Sequence, residues 1–162
     1  GDGTTTNRSS PVSMSGVTNA LDIGSAGYST CIVYNDGTIK CIGKNSLGEL
    51  GDGTTTDRTS LVSGTGITNG TKIVGGGGNH CVLLSDSTIK CWGYNEKGQL
   101  GDGTTTNSLA PVTVSGINNA TGLSASYHYA EHEGTTCALL SDKGAKCWGN
   151  GIGGTPTLLH GL

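Results

Sequence analysis

Phenylalanine is absent from the 162 residues, only 13% of them are charged, and no run approaches about 18 apolar residues. The low charge and the 30 glycines exclude a helical bundle, because helices need charged polar faces and few glycines. The lack of a long apolar run predicts that no helix spans a membrane. The net charge of −3 without a Lys/Arg cluster argues against nucleic acid as a partner.

The sequence is organised instead as an internal repeat. The hexapeptide "GDGTTT" begins at residues 1, 51 and 101, and the related segments "PVSMSGV", "LVSGTGI" and "PVTVSGI" follow its three copies. A period of this size is typical of solenoids, propellers and arrays. Each period contains short β-branched runs between glycine-rich turns and no helical apolar pattern. We therefore expect an all-β fold with about one small antiparallel sheet per period, packed against neighbouring copies.

One stretch carries a resemblance to a known family. The segment "HCVLLSDSTIKCWGYNEKGQLGDGTTT" (80–106), followed by "PVTVSGI" (111–117), resembles the regulator-of-chromosome-condensation (RCC1-like) repeat in its bacterial and secreted, disulfide-containing form. The resemblance covers essentially the whole chain and implies a β-propeller of four-stranded blades. This chain has room for about three blades, a partial or open propeller. We expect blade units at about 18–67, 68–117 and 118–162, with 1–17 as the tail of a preceding blade.

The copies of the repeat differ at three places. Ile42 stands where the other copies have Trp92 and Trp148, six residues are inserted before Cys137, and the third copy lacks the "GQLGDGTTT" block. The third unit is therefore expected to be a terminal cap or an edge blade. Three arrangements are compatible with the sequence: a segment of a longer propeller, a part of an oligomeric ring, or a fibre subunit.

The six cysteines form three pairs, each ten positions apart around an aspartate: Cys31 with Cys41, Cys81 with Cys91, and Cys137 with Cys147. If the aspartate is the centre of a three-residue hairpin loop, the paired cysteines lie directly opposite each other. This spacing is wrong for a structural zinc site, and three copies are an odd way to supply a catalytic thiol. Disulfides within the hairpins explain the pattern, with buried free thiols as the alternative. Disulfides imply an oxidising compartment, so we expect a secreted or cell-surface protein.

Three Asn-x-Ser/Thr triplets begin at Asn7, Asn69 and Asn119. Chance produces such triplets easily in a chain rich in threonine and asparagine. In a secreted eukaryotic protein they would be N-glycosylation sites on exposed loops.

The insertion in the third repeat reads "YHYAEHE" (127–133). On a helix, histidines four residues apart could bind a metal with a neighbouring glutamate, but a loop that departs from the repeat is favoured, and no metal is predicted. Aromatic insertions on rigid scaffolds often contact partners. The candidate partner-binding residues are Tyr127, His128, Tyr129, Glu131 and His132.

The "GDGTTT" block lacks the lysine of a phosphate-binding loop and the spaced carboxylates of an EF-hand. It is interpreted as a structural turn in which Asp2, Asp52 and Asp102 cap backbone amides. No nucleophile–base or paired-carboxylate arrangement stands out, so neither an enzyme nor a cofactor is predicted.

These features favour a non-enzymatic extracellular or cell-surface module that binds protein or assembles through blade loops and edges. The resemblance implies this function, because family members use the propeller as an interaction platform. The alternative is a lectin-like propeller that binds glycans by stacking on exposed Trp92 and Trp148, although blade core is the favoured place for tryptophan at that strand position. Nucleotide exchange on a small GTPase is the third hypothesis, and the cysteine pattern disfavours it.

Overall fold

A computed structural model describes residues 2–127 and 134–158 of the chain, and within these residues the regular structure consists of strands alone. The strands are β1 (Ala20–Ala26), β2 (Ser29–Tyr34), β3 (Ile39–Gly43), β4 (Arg58–Ser63), β5 (Gly70–Gly75), β6 (Asn79–Leu84), β7 (Ile89–Gly93), β8 (Ser108–Thr113), β9 (Ala120–Ala125), β10 (Thr135–Leu140), β11 (Ala145–Gly149) and β12 (Gly153–Leu158). No helix of the described part is long and apolar enough to cross a bilayer.

The strands form three four-stranded antiparallel sheets, each with its strands in chain order. We call them blade 1 (β1–β4), blade 2 (β5–β8) and blade 3 (β9–β12). The all-β, open-propeller architecture predicted from the sequence is therefore confirmed. The first strands of the blades lie side by side, with β1 against β5 and β5 against β9.

The central hairpin of every blade has the register that the cysteine spacing predicts. Cys81 lies opposite Cys91 and Leu83 opposite Ile89, and the hairpins of blades 1 and 3 repeat this pairing. The third residue of each turn has a positive φ: +78° at Gly37, +65° at Ser87 and +70° at Lys143. Such a left-handed residue is typical of three-residue hairpin loops, and here two of the three are not glycine.

The hydrophobic core lies between the blades. Blades 1 and 2 turn the face that carries their disulfide toward the next blade, and blades 2 and 3 turn the opposite face toward the preceding blade. The two cores, one per junction, are Cys31, Val33, Ile39, Cys41 and Leu50 with Ile67, Ile73, Val82, Leu84 and Trp92, and Cys81, Leu83, Ile89, Cys91, Leu100 and Val114 with Ile117, Ala120, Leu123, Ala138, Leu140 and Trp148. Since a single sheet cannot bury its own faces, each blade depends on its neighbours for stability.

Candidate functional site

Each blade junction is closed by a tryptophan that reaches across to the preceding blade. Trp92 Nε1 donates to the carbonyl oxygen of Glu49 at 2.9 Å, and Trp148 Nε1 donates to that of Gln99 at 3.0 Å. Both indole rings are fully buried. The rings therefore lie in the blade core, as the sequence favours, and they do not offer the exposed stacking platforms that the lectin alternative needs.

The glycine of each internal "GDG" motif makes room for these rings. A Cβ added to Gly51 would lie 2.9 Å from Trp92 Cδ1, and one added to Gly101 would lie 2.8 Å from Trp148 Cδ1. Both glycines also have positive φ values, +64° and +67°. The "GDG" motif of one blade and the tryptophan of the next blade therefore pack together and hold the two blades in contact.

The "GDGTTT" blocks are turns whose aspartates cap backbone amides, as the sequence predicts. In the three copies the amide of Thr4, Thr54 or Thr104 donates to the preceding aspartate at 3.0, 3.0 and 2.9 Å. The Thr4 hydroxyl and amide, with Arg8, lower the pKa of Asp2 to about 2. These carboxylates are thus occupied in local structure rather than arranged around a ligand.

His80 is a fully buried histidine at the junction of blades 1 and 2. Its Nδ1 lies 3.1 Å from the Glu49 carbonyl oxygen, and its ring stacks on Trp92 at 5.9 Å between centroids. Burial lowers the pKa of His80 to about 4, against an opposing contribution from the backbone of Glu49 and Gly24. The ring is therefore neutral at neutral pH, and because a carbonyl only accepts, Nδ1 carries the proton.

The cysteines of each hairpin are joined by a disulfide, and no cysteine is free. The Cα atoms of each pair are 4.1 Å apart. The bonds of blades 1 and 2 are buried in the junction cores, whereas Cys137 of blade 3 is only partly covered. The cysteines therefore stabilise the fold and leave no thiol for catalysis or metal binding.

The three candidate glycosylation sites have different surroundings. Asn7 is exposed, and Asn69 and Asn119 are half-buried at equivalent places just before β5 and β9. Asn69 Nδ2 also contacts Asp86 Oδ2 at 3.5 Å. The local structure thus makes Asn7 the most accessible of the three.

A cleft among strand-connecting loops on one side of the sheets contains residues from all three blades. It has a volume of about 240 Å³ and lies among the β1–β2 turn, the β3–β4 loop, the β5–β6 turn and the start of the β9–β10 loop. We call it the loop-end cleft. Its lining residues are Ala26, Gly27, Tyr28, Lys44, Ser46, Leu47, Glu49, Gly78 and Tyr127.

Two tyrosines, one from blade 1 and one from blade 3, stand at this cleft. Tyr28 is 70% exposed and Tyr127 is 40% exposed. The Lys44 ammonium lies 5.9 Å from the centroid of the Tyr28 ring. Glu49 lies deeper, with Oε2 accepting from the Leu47 amide at 2.7 Å. An aromatic rim with one cation is suited to binding a partner surface.

Tyr127 is the residue of the predicted partner-binding loop that the structure describes, and it lies at the cleft. His128, Tyr129, Glu131 and His132 lie outside the described residues. Tyr28 was missed, although the sequence carries a signal: the equivalent position of the second repeat is Gly78. A large aromatic residue that replaces glycine on a turn between two strands indicates that this position is not constrained by the packing that the repeats share.

The described residues hold no cluster of three or more His, Cys, Asp or Glu side chains that could bind a metal ion. Among the described residues that line the cleft are one lysine and one glutamate, and the glutamate accepts a hydrogen bond from a backbone amide. The arrangement can therefore bind by stacking, apolar contact and charge.

The fold and its junctions define a protein built of β-propeller blades. Two models of the regulator of chromosome condensation (RCC1) repeat match residues 91–130 and 71–99. The chain therefore carries RCC1-like repeats over residues 71–130. No curated protein matches the sequence.

Solved structures that superpose on this chain, yeast RCC1 among them, have the same fold. Human WBSCR16 superposes with a TM-score of 0.74 at 15% identity, over 87% of this chain and 39% of that one. Yeast RCC1 (Prp20), solved bound to Kap60, gives 0.72 at 14% identity over 91% and 38%. Prp20p of Saccharomyces cerevisiae, solved in a study of its binding to Gsp1p and histones, gives 0.70 at 16% identity over 91% and 40%. This chain thus spans about two-fifths of the length of these solved chains.

Proposed function

We propose that this chain is a non-enzymatic interaction module of an extracellular or cell-surface protein, and that it binds a protein through the loop-end cleft. The carrying observation is the cleft itself, because two turns of blade 1 and a loop of blade 3 bring Tyr28, Lys44 and Tyr127 together around it. Large aromatic residues and a cation on a rigid scaffold are typical anchors of protein interfaces.

The cysteine chemistry supports the compartment. All six cysteines are joined in disulfides, which persist in oxidising environments and are rare in the cytosol and nucleus. In such an environment Asn7, Asn69 and Asn119 become candidate glycosylation sites if the cell that secretes the protein is eukaryotic.

The protein-binding function is favoured over its two alternatives by specific observations. Solved relatives are protein binders: yeast RCC1 is bound to Kap60, and Prp20p binds Gsp1p and histones. The lectin hypothesis has lost its two tryptophan platforms, which are buried. Nucleotide exchange on a small GTPase is disfavoured because the three disulfides suit a different compartment.

Site-specific photocrosslinking tests the cleft. A benzophenone amino acid replaces Tyr28 in one sample and Ser60, an exposed residue on β4 away from the cleft, in the control. Both are irradiated with the secreted and surface proteins of the source cells, and the adducts are identified by mass spectrometry. We expect a protein adduct at position 28 and not at position 60. The substitution Tyr127→Ala should weaken the affinity of the crosslinked protein for this chain about 10- to 100-fold.

Equal crosslinking at positions 28 and 60 would refute the cleft as the binding site. A specific signal on a glycan array, lost in Tyr28→Ala, would instead support the lectin alternative. The compartment is tested separately by alkylating the native protein before reduction. Labelled cysteines in material taken directly from the cells would contradict an extracellular location.

A further inference from the structure

The loop-end cleft contains two side chains that do not follow the repeat. Tyr28 and Lys44 stand where blade 2 has Gly78 and Tyr94. The backbone contact between the two positions is nevertheless the same: the Lys44 amide donates to the Tyr28 carbonyl at 3.0 Å, and the Tyr94 amide donates to the Gly78 carbonyl at 3.0 Å. Because blade 2 keeps this contact with other side chains, the fold itself does not require a tyrosine and a lysine here.

Lys44 places an ammonium group at the rim of the cleft. The side chain is exposed, and the ammonium lies 5.9 Å from the centroid of the Tyr28 ring. Neither of the two salt bridges of the described residues includes Lys44. An aromatic ring attracts a cation without using its N–H groups in ordinary hydrogen bonds, so these donors stay able to bind an anion.

Glu49 is the acidic residue among the described residues that line the cleft, and it lies deeper than Lys44. It is only 6% exposed, and its Oε2 accepts a hydrogen bond from the Leu47 amide at 2.7 Å. Like charges that approach each other in a partly dehydrated site repel strongly. The carboxylate of a ligand is therefore favoured at the rim beside Lys44 and disfavoured at the bottom of the cleft beside Glu49.

The remaining surface of the cleft is largely apolar, and the space is small. Ala26, Gly27 and Gly78 contribute backbone and one methyl group, and the half-buried Leu47 adds an apolar side chain. The volume of about 240 Å³ lies below the roughly 300–1,000 Å³ that is typical of small-molecule pockets. The cleft therefore has room for one or two side chains of a partner protein.

We propose that the loop-end cleft binds an acidic segment of its protein partner. In this segment an Asp or Glu carboxylate contacts the Lys44 ammonium, and a neighbouring apolar or aromatic side chain enters the cleft beside Tyr28 and Tyr127. The proposal rests on the proposed function, whose partner it describes by its chemistry. The cation at the rim attracts the acidic segment, and Glu49 below it determines which part of the segment enters the cleft.

Peptide selection tests the chemistry of the occupant. A phage-displayed library of random short peptides is panned against the immobilised chain, and the selected peptides are synthesised. Peptides whose binding is lost in Tyr28→Ala are assigned to the cleft. We expect most of them to contain Asp or Glu next to a large apolar or aromatic residue. A library that yields no cleft binder, or cleft binders rich in Lys and Arg, would overturn the proposal.

Substitutions of opposite sign test the role of charge, with affinities for the cleft peptides measured by fluorescence anisotropy. Lys44→Gln should weaken binding about 3- to 10-fold, and Lys44→Arg should preserve it because it keeps the cation. Glu49→Gln removes the like charge and should strengthen binding. Lys72→Gln is the matched control, because it removes the same charge from an exposed residue of β5 outside the cleft and should leave the affinity unchanged.

Two results of these measurements would contradict an acidic occupant. An equal loss of affinity in Lys44→Gln and Lys72→Gln would reduce the effect to net charge. Stronger binding in Lys44→Gln with weaker binding in Glu49→Gln would identify a basic segment instead. Near-UV circular dichroism checks that each variant is folded.

The outcome is separable from that of the crosslinking experiment. A protein adduct at position 28, combined with peptide binding that Lys44→Gln does not change, would overturn the acidic occupant and leave the cleft as a binding site. Equal crosslinking at positions 28 and 60 would remove the binding site, and this proposal with it.

Discussion

Trp92 of blade 2 donates a 2.9 Å hydrogen bond to the backbone carbonyl of Glu49 in blade 1, and the ring of the buried His80 stacks on that same indole. Trp148 repeats the contact with Gln99 one blade further along. At both junctions the tryptophan of one blade binds and packs against the backbone of the preceding blade. The stability of a junction should therefore be sensitive to small changes in the size of the residues around the indole ring.

Gly101→Ala should destabilise the protein more than Gly103→Ala. Both glycines have positive φ, so both substitutions carry a backbone cost of about 1–2 kcal/mol. At position 101 the new Cβ also meets Trp148 Cδ1 at 2.8 Å, which adds about 1–3 kcal/mol of overpacking. At position 103 the nearest atom, on Thr155, is 3.7 Å away. Urea unfolding measures the difference, and equal losses would contradict the tryptophan–glycine fastening.

The two single substitutions Gln99→Glu and Glu49→Gln should differ in their effect on stability, because only the first adds a buried carboxylate. The two residues are equivalent and each accepts a backbone amide two positions earlier, from Leu47 at 2.7 Å and from Lys97 at 2.9 Å. Gln99 is fully buried, so Gln99→Glu brings a carboxylate into the core and should cost about 1–3 kcal/mol at pH 7. Glu49→Gln keeps the acceptor and should be neutral or stabilising. Thermal unfolding of both variants at pH 7 checks this, and a loss in Glu49→Gln would refute it.

Acidification should weaken the fold through His80. The folded state lowers the pKa of His80 from 6.5 to about 4, so the unfolded state binds the proton more readily. The stabilisation is complete above about pH 6.5 and is lost as the pH falls toward 4, by at most on the order of 3 kcal/mol. Asp36, Asp52 and Asp86 also have lowered pKa values, and their contributions are lost only below this window, near and under pH 3.8.

His80→Thr is the matched variant, because threonine occupies the equivalent positions 30 and 136. We expect urea unfolding of this variant to depend less on pH between 6.5 and 4 than that of the unchanged protein. The same slope in both proteins would assign the effect to other groups.

The disulfide of blade 3 should be reduced first. Cys137 is partly exposed, whereas Cys81 and Cys91 are covered on both sides in the core between blades 2 and 3. Each bridge is worth at most about 3 kcal/mol in the chain-entropy model, so losing one should leave the other blades folded. Timed treatment with dithiothreitol, followed by alkylation and peptide mapping, gives the order. Earlier release of Cys81 and Cys91 would contradict it.

The architecture could be predicted from the sequence because it is repeated three times. The ten-residue cysteine spacing and the aspartate between the cysteines define the hairpin register, and the register defines which side chains share a face. The exact blade boundaries, 18–67, 68–117 and 118–162, stay a prediction. What periodicity could not show was which face of a blade meets which neighbour, since that depends on how whole sheets pack.

The loop-end cleft could be predicted only in part, because it too depends on how whole blades pack against one another. Tyr127 was marked by its place in an insertion. Tyr28 and Lys44 belong to different turns of blade 1, and only the stacking of three blades places them beside Tyr127. His80 was not recognised as a buried junction residue because its partner Glu49 is 31 residues away and offers a backbone carbonyl, which leaves no trace in a sequence.

The closure of each disulfide within its own hairpin has a consequence for biogenesis. The two cysteines of a pair are separated by only ten positions, and no bridge connects one blade to another. If the chain is exported as proposed, each hairpin can be oxidised soon after it emerges, before the following cysteines appear, so the correct pairing is also the earliest one available. A chain of many such units could therefore mature one unit at a time, without an isomerase to sort wrong pairs.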